Sequence, residues 1–255
     1  ISSESFPVLP SEDVNSVYKI SEENLHEMMR KVSYAASQDD TRKTLKGVLM
    51  SFRDEKLTVV ATDGRRLALT EMEIEFPKDS EIDIVLPSKA VTELLRSMNG
   101  KGEVNIKVEK SQICFSVGNL QMFSKLIEDT YPNYRQVIPA DTAEKVIVDR
   151  LLLLNALDRA RVMSMDESHS TKLIFETGRL IVTSAASDIG EAKDEVPIKY
   201  AGESIEIMFN PSYVMDPLKV IDEDEISINF NNSHSPAVIK CSSPFLYVLM
   251  PLRVS

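Results

Sequence analysis

The chain is poor in cysteine, in long apolar runs and in positive charge. Two cysteines among 255 residues argue against a disulfide-stapled fold, and no secretory leader opens the sequence, so we expect a cytoplasmic protein. No apolar run approaches the roughly 18 residues that cross a bilayer, so no membrane partner is expected. Basic residues number 29 against 40 acidic ones, and the resulting net charge of −11, taken alone, argues against nucleic-acid binding.

Recognisable catalytic and metal-binding motifs are absent as well. The three histidines, His26, His169 and His234, lack metal-ligand spacing to one another or to a cysteine. None of the patterns GxSxG, HExxH, GxxxxGKS/T and GxGxxG occurs in the sequence. The acidic run at 222–225 is typical of a solvated turn. We therefore expect no catalytic residue, no cofactor and no metal ion.

Four segments have the pattern of helices, each opened by a capping residue or an early proline. The first carries apolar residues at the helical period from Leu25 to Ala36, and Pro217 is expected to kink or end the fourth. Short β-type runs between the helices predict strands at 48–52, 57–61, 66–70, 173–175, 180–183, 205–208 and 245–249. The helices are predicted to start at Ser21, Pro87-Ser88, Asp149 and Asn210-Pro211.

One unit is used twice, with a period of about 125 residues. The strand that begins at Gly47 corresponds to the one at Thr171, and Cys114 corresponds to Cys241. Within each unit two helices start roughly 61–66 residues apart, which indicates a nested repeat of one helix plus a sheet. Segments 5–7 (SFP) and 130–132 (TYP) resemble each other, and each stands before a segment with a helix pattern. We therefore predict domains at 18–139 and 140–255, with residues 1–17 as the tail of a further unit upstream.

Two segments are unusual for a plain repeat. Residues 61–68 combine Asp63-Gly64, a strong hairpin signal, with the paired Arg65 and Arg66, although a charged surface hairpin explains them equally well. The last residues, 247–253, are apolar, whereas chain ends are normally polar and frayed. Such an end is expected to pack against another element or to offer a groove.

These segments carry a family resemblance. Residues 61–68 (ATDGRRLA), 131–139 (YPNYRQVIP) and 250–253 (MPLR) resemble segments of the bacterial sliding clamps, the beta subunits of DNA polymerase III. Phe209–Tyr213 and Leu86–Lys89 match as well, and the order and spacing agree over essentially the whole chain. The resemblance covers the second and third of the three domains of this family.

The resemblance implies an α+β fold of repeated clamp domains, each with two helices packed on antiparallel sheets. In this family two three-domain subunits close head to tail into a ring around duplex DNA, with the helices lining the hole. The ring has no catalysis of its own. The implied partners are duplex DNA, a second subunit, the replicative polymerase, the clamp loader and repair polymerases. Because the other half of the subunit joint lies on the missing domain, the chain alone is expected to be largely monomeric.

The family docks short peptides in a groove between its second and third domains. An apolar floor there suits leucine or phenylalanine anchors, and methionine adapts to several partners. Gln136 stands where some relatives have arginine, and Lys43 where many have proline, which we expect to shift peptide preference rather than function. Carried over residue by residue, the groove comprises Leu45, Thr62, Gly64, Arg65, Arg66, Leu67, Pro132, Gln136, Val137, Asn210, Tyr213, Pro236, Val248, Met250, Pro251, Leu252 and Arg253.

The resemblance also implies a DNA-facing surface and a subunit joint. DNA contacts would be made to phosphate, although a solvated helix charge is the competing interpretation for every residue. In a ring the acidic residues can cover the rim, so the net charge no longer excludes DNA. The implied DNA contacts are Arg30, Lys31, Arg42, Lys43, Lys89, Arg96, Arg159, Arg161 and Lys219. The implied joint residues are Val162, Met163, Glu191 and Glu195.

Two other function classes stay open on the residues alone. A repeat-built hydrolase or transferase would place its site between the domains, with the turn at Asp63 and Arg66 catalytic. A β-rich scaffold that does not bind DNA would also be built from such repeats. Paired carboxylates in a pocket would favour the enzyme, whereas binding of a leucine/phenylalanine pentapeptide would favour the clamp.

Overall fold

The computed structural model describes residues 17–163, 170–186 and 190–252, so most of the predicted tail, His169 and Arg253 lie outside it. The first half contains β1 (Val17–Ser21), α1 (Glu22–Val32), β2 (Gly47–Arg53), β3 (Lys56–Thr62), β4 (Arg66–Glu73), β5 (Ile82–Pro87), α2 (Ser88–Ser97), β6 (Glu103–Glu109), β7 (Gln112–Val117) and β8 (Leu120–Lys125). The second half contains β9 (Glu144–Asp149), α3 (Arg150–Met163), β10 (Thr171–Glu176), β11 (Arg179–Ala186), β12 (Gly190–Lys199), β13 (Ile205–Phe209), α4 (Pro211–Leu218), β14 (Glu225–Phe230), β15 (Ala237–Lys240) and β16 (Phe245–Leu249).

The same order of elements occurs twice, which confirms the predicted repeat. We call β1–β8 with α1 and α2 the first unit, and β9–β16 with α3 and α4 the second unit. Within each unit the series strand, helix and three strands also occurs twice, so the nested repeat is confirmed. The strand pairs within the described residues are antiparallel, and the fold is α+β as predicted.

One sheet joins the two units. β1, β6, β7 and β8 form a four-stranded sheet, and the other twelve strands form one sheet in the order β13-β10-β11-β12-β9-β14-β15-β16-β4-β3-β2-β5. The sheet crosses from one unit to the other where β16 pairs with β4, with Val248 opposite Leu67. The apolar strand near the chain end therefore packs, as expected, by completing the sheet of the first unit.

The sheet of the first unit is covered on both faces, which is why β2 is buried along nearly its whole length. Successive side chains of a strand point to opposite faces. Val48 and Met50 join the main core with the helices. The opposite face carries a smaller cluster, here called the outer cluster: Leu49, Val60, Leu67, Val85, Tyr134 and Val248. Tyr134 belongs to the connecting segment 126–138, which crosses this face between the two units.

Three of the predicted helix starts carry side-chain caps. Ser21, Asp149 and Asn210 each place an oxygen over the first turn, where backbone N–H groups lack partners within the helix. These oxygens accept hydrogen bonds from the backbone N–H groups of Asn24, Leu152 and Ser212, at 3.2, 2.8 and 3.0 Å.

Two helix ends refine the predictions. α1 ends at Val32 rather than near Ala36, because the chain tightens into a 3₁₀ turn over Ser33–Ala35 in which Ala36 donates to the Ser33 carbonyl. α4 ends one residue after Pro217. Proline has no N–H for the helical hydrogen bond and its ring clashes with the preceding turn, so the predicted end of this helix is confirmed.

Charged side chains tie the helices of each unit together. Glu22, 2% exposed, accepts hydrogen bonds from the backbone N–H groups of Asn99 (2.9 Å) and Lys101 (3.3 Å), just beyond α2. At the corresponding place in the second unit, Arg150 donates to the carbonyls of Leu218 (2.9 Å) and Glu223 (2.8 Å). An anion thus accepts from backbone N–H groups in the first unit, whereas a cation donates to backbone carbonyl groups in the second.

Candidate ligand groove and helix surface

The turn between β3 and β4 is built by its own side chains. The Asp63 carboxylate accepts hydrogen bonds from the backbone N–H groups of Arg65 (2.9 Å) and Arg66 (3.1 Å). The Thr62 hydroxyl accepts from Gly64 (3.1 Å) and donates to the Arg66 carbonyl (2.6 Å). Gly64 has a φ of 86°, a conformation that costs glycine little. The hairpin predicted from Asp63-Gly64 is therefore confirmed.

The end of the second unit is held against this turn. The backbone N–H of Met250 donates to the carbonyl of Arg65 at 2.9 Å, directly after the paired strands β16 and β4. The N–H of Leu252 donates to the Met208 carbonyl at 2.8 Å. The first bond joins two segments that are far apart in sequence beside one depression, and the second ties the chain to β13.

A cavity opens where the turn, the connecting segment and the end of β16 meet. Its floor is apolar, since Leu67 and Val248 are 1% and 2% exposed. Its rim includes Val137 and Met250, which are 47% and 41% exposed although they are apolar. The structure brings together eight of the predicted groove residues, namely Thr62, Gly64, Arg65, Arg66, Leu67, Val137, Val248 and Met250.

The other predicted groove residues do not line this cavity. Leu45 is half-buried before β2, and Gln136 is exposed on the connecting segment. Pro132 lines a different cavity of about 400 Å³, between that segment and β5. Asn210 is occupied as the cap of α4. The remaining residues lie in α4 (Tyr213), before β15 (Pro236) and after β16 (Pro251, Leu252).

Arg66 is the most constrained charge beside the cavity. Its guanidinium donates to the carboxylates of Asp63 (3.1 Å) and Asp216, and to the carbonyl of Tyr34 (2.8 Å). It also lies 4.3 Å from the centre of the Tyr213 ring, within cation–π range. Burial alone would lower the pKa of Arg66, but Tyr247 and the two carboxylates raise it above its ordinary value. The guanidinium therefore stays charged in a half-buried site shared by both units.

The sequence alone did not identify two residues of this site, Tyr34 and Asp216. The Tyr34 carbonyl and the Asp216 carboxylate hold Arg66, yet neither was a candidate. Asp216 lies three residues after Tyr213, so it shares a face of α4 with a predicted residue, and this spacing is the signal that could have identified it. No comparable spacing signal exists for Tyr34, since its contribution is a backbone oxygen exposed where α1 ends.

The candidate DNA contacts are mostly paired with carboxylates. Lys89 is exposed on α2 and has no ion pair within the described residues. The exposed pairs involve Arg30 with Asp222 (2.9 Å), Arg96 with Glu93 (2.9 Å), Arg159 with Asp194, Arg161 with Asp158 (3.1 Å) and Lys219 with Asp216 (3.8 Å).

Three further candidate DNA contacts have different surroundings. Lys31 is 5% exposed, pairs with Glu27 and donates to the Ser243 hydroxyl at 3.4 Å. Arg42 donates to the carbonyl of Asp63 at 2.9 Å, which places it beside the groove. Lys43 lines a surface depression with residues 127–129, on the side of the connecting segment. The contacts with Ser243, Asp63 and residues 127–129 are non-local, so the loop and helix patterns alone did not reveal them.

The candidate joint residues lie at one edge of the second unit. Val162, near the end of α3, is 63% exposed. Glu191 and Glu195 lie on β12, where Glu191 accepts from the Thr183 hydroxyl (3.0 Å) and Glu195 pairs with Arg179 (3.6 Å). The side chain of Met163 lies outside the described part of the chain.

A group of side chains able to bind a metal ion is not found in the part of the chain that the structure describes. Within it, no group of three or more histidine, cysteine, aspartate or glutamate side chains could hold a metal ion. Likewise, none of the described helices is long and apolar enough to cross a membrane. The alternative enzyme interpretation assigned catalysis to the turn at Asp63 and Arg66. The Asp63 carboxylate there already binds the Arg66 guanidinium and two backbone N–H groups.

Comparison with known families decides between the interpretations. Residues 19–133 match the family described as DNA polymerase III beta subunit, central domain, and residues 135–253 match its C-terminal domain. The chain belongs to the DNA polymerase III beta-subunit family. The resemblance predicted from the sequence is confirmed, as is its coverage of two consecutive domains. The sliding clamps of this family are non-catalytic subunits, so the chain is not an enzyme.

Individual clamps agree with this assignment. The beta sliding clamp of Caulobacter vibrioides is 34% identical over 98% of this chain and 69% of its own length. That of Chlamydia trachomatis is 31% identical over 98% of this chain and 60% of its own length. The solved sliding clamp of Pseudomonas aeruginosa, 29% identical, superposes with a TM-score of 0.93 over 100% of this chain and 70% of that one. This clamp chain thus spans about 60–70% of the length of its relatives.

Proposed function

We propose that this chain is part of a cytoplasmic sliding clamp that encircles duplex DNA and holds a polymerase on it through a peptide-binding groove. The observation that carries the proposal is the joint between the units, where β16 completes the sheet of the first unit and a cavity opens beside it. The proposed domains are 18–139 and 140–255, with residues 1–17 as the tail of a preceding clamp domain.

The strand edges support closure into a ring. By the repeat, β8 corresponds to β16 and β12 corresponds to β4. β8 ends its sheet, and the segment 190–197 of β12 pairs only with β11 among the described strands. An unpaired edge is a template for another strand. We propose that the β8 edge meets the extra domain of the longer relatives, and that the β12 edge meets that domain in a second subunit, head to tail.

Exposed apolar side chains lie near both edges. Leu120 and Phe123 of β8 are 48% and 36% exposed, and Val162 lies near β12 at the end of α3. In β16, the counterpart of β8, Phe245, Tyr247 and Leu249 are all buried. Apolar groups grouped on a surface are typical of an interface. The proposed joint would also include Met163, Glu191 and Glu195.

The helix surfaces are suited to weak contact with DNA. Lys89 offers a free charge, and the other exposed candidates share theirs with a carboxylate of the protein. A cation that is already paired releases fewer counterions when it meets a phosphate, so each contact adds little affinity. Contacts of this kind are independent of sequence and sensitive to salt. They would allow a closed ring to slide.

The cavity is suited to the side chain of a short peptide. The buried Leu67 and Val248 would contact a leucine or phenylalanine anchor, and the exposed Met250 and Val137 could close over it. A clamp from Pseudomonas aeruginosa, 29% identical to this chain, has been solved bound to griselimycin. We propose that the replicative polymerase, the clamp loader and repair polymerases dock here. Tethering would make rebinding of the polymerase to DNA effectively intramolecular.

A peptide titration tests the groove. A fluorescent pentapeptide with leucine and phenylalanine anchors, taken from a polymerase tail, is expected to bind this chain with micromolar-scale affinity. The matched control is the same peptide with both anchors changed to alanine, which should bind at least tenfold more weakly because the apolar floor loses its contacts. Equal binding of the two peptides would count against the groove. A scaffold without a peptide groove would bind neither peptide.

A further inference from the structure

The paired arginines of the hairpin are neighbours in sequence but have different surroundings. The Arg66 side chain is 10% exposed and donates to Asp63, Asp216 and the Tyr34 carbonyl. Arg65 is exposed at the cavity, and its side chain makes no hydrogen bond or ion pair with the described residues. One guanidinium is therefore engaged by the protein, and the other is available to a ligand.

The acceptors of Arg66 come from three separate elements. Asp63 belongs to the hairpin itself, and Tyr34 follows α1 in the first unit. Asp216 lies on α4 in the second unit, and Tyr213 of the same helix faces the guanidinium. A charge-assisted bond to a half-buried arginine is stronger than a neutral one. The position of Arg66, and with it one wall of the cavity, thus depends on contact between the units.

Arg65 has a fixed backbone and a free side chain. Its N–H donates to the Asp63 carboxylate and its carbonyl accepts from Met250, both at 2.9 Å. The nearest carboxylate in sequence, Asp63, is already engaged by Arg66. A positive charge therefore projects from a rigid turn at an apolar cavity, where an acidic group of a ligand would complement it.

We propose that the two arginines have separate roles: Asp216 is a positioning residue that holds Arg66 as a wall of the groove, and Arg65 selects peptides carrying an acidic residue beside the apolar anchor. This inference rests on the proposed function, because it concerns the ligand of the same groove. It assigns peptide preference to one residue and the shape of the groove to another.

The test uses two peptides and three variants of the chain. One pentapeptide carries glutamate beside its anchors, and the other carries glutamine at that place. Arg65→Gln should weaken binding of the glutamate peptide about tenfold and leave the glutamine peptide nearly unchanged. Asp216→Asn should weaken both peptides by a similar factor, since it disturbs the wall and not the charge preference. Asp158→Asn is the matched control, because it removes a carboxylate from an exposed pair on α3.

A double-substitution cycle keeps the test independent of folding. In an Arg66→Gln background, Asp216→Asn should cause no further loss of affinity, since the contact it serves is already gone. Additive losses would overturn the role of Asp216, and so would full affinity in a folded Asp216→Asn variant. Equal losses of both peptides in Arg65→Gln would overturn the charge preference. If the unaltered chain bound neither peptide, the proposed function itself would fail, and this inference with it.

Discussion

Alanine substitutions at Leu67 and Met250 should separate the stability of the sheet from the affinity of the groove. Leu67 is 1% exposed in the outer cluster, opposite Val248 on the strand that joins the units. Removing a buried leucine side chain costs about 2–5 kcal/mol, from lost burial and the cavity left behind. Met250 keeps 41% of its surface exposed, so its truncation removes only part of the roughly 1.5–3 kcal/mol of full burial, about 1 kcal/mol.

Urea denaturation followed by circular dichroism measures the first effect. With a slope of about 1–3 kcal/mol per molar urea, Leu67→Ala should lower the midpoint by roughly 1 M or more, and Met250→Ala by much less. Fluorescence anisotropy with the anchored pentapeptide measures the second effect. Met250→Ala should weaken binding about tenfold while the chain stays folded, because the rim of the cavity loses its largest apolar side chain.

Two results would refute this reasoning. If Met250→Ala shifted the urea midpoint as far as Leu67→Ala, the exposed side chain would be part of the core rather than of the rim. If Met250→Ala bound the peptide with unchanged affinity, the cavity would not be the docking site. Leu151→Ala is a suitable control, since Leu151 is an exposed apolar residue of α3 outside the cavity and neither measurement should change strongly.

Two single positions, Glu223 and Gly64, and the proposed subunit joint each lead to a further prediction. Burial alone would raise the pKa of Glu223, but hydrogen bonds from its own backbone and from Ser243 lower it from 4.5 to about 2. The stabilisation is therefore complete above pH 4.5 and is lost as the pH falls towards 2, and Glu223→Gln should flatten the acid side of a urea-midpoint profile. Gly64→Ala should destabilise the chain by about 1 kcal/mol in a thermal melt, because alanine is strained at positive φ. Light scattering should show a monomer at micromolar concentration, and a stable dimer would contradict the proposed joint.

Local features made much of the fold predictable. Capping side chains such as Ser21, Asp149 and Asn210 act within one turn, so their helices could be located without tertiary information. The Asp63-Gly64 turn is equally local, since its hydrogen bonds span two to four residues. The duplication was visible because both copies keep the same order of patterns. The end of α1 was less predictable, because a 3₁₀ turn replaces its last helical turn.

The sequence by itself determined the repeat, the hairpin, the helix starts and the family resemblance, because each depends on neighbouring residues or on motif order. Only the tertiary structure decided which charges are free. Lys31 is buried and donates to Ser243 of the second unit, Arg42 contacts the hairpin, and Arg66 is held by Asp216, which lies 150 residues away. The groove arises in the same way, since β16 pairs with β4 across two units. Such contacts depend on how the sheets assemble, and short-range periodicity carries no information about that.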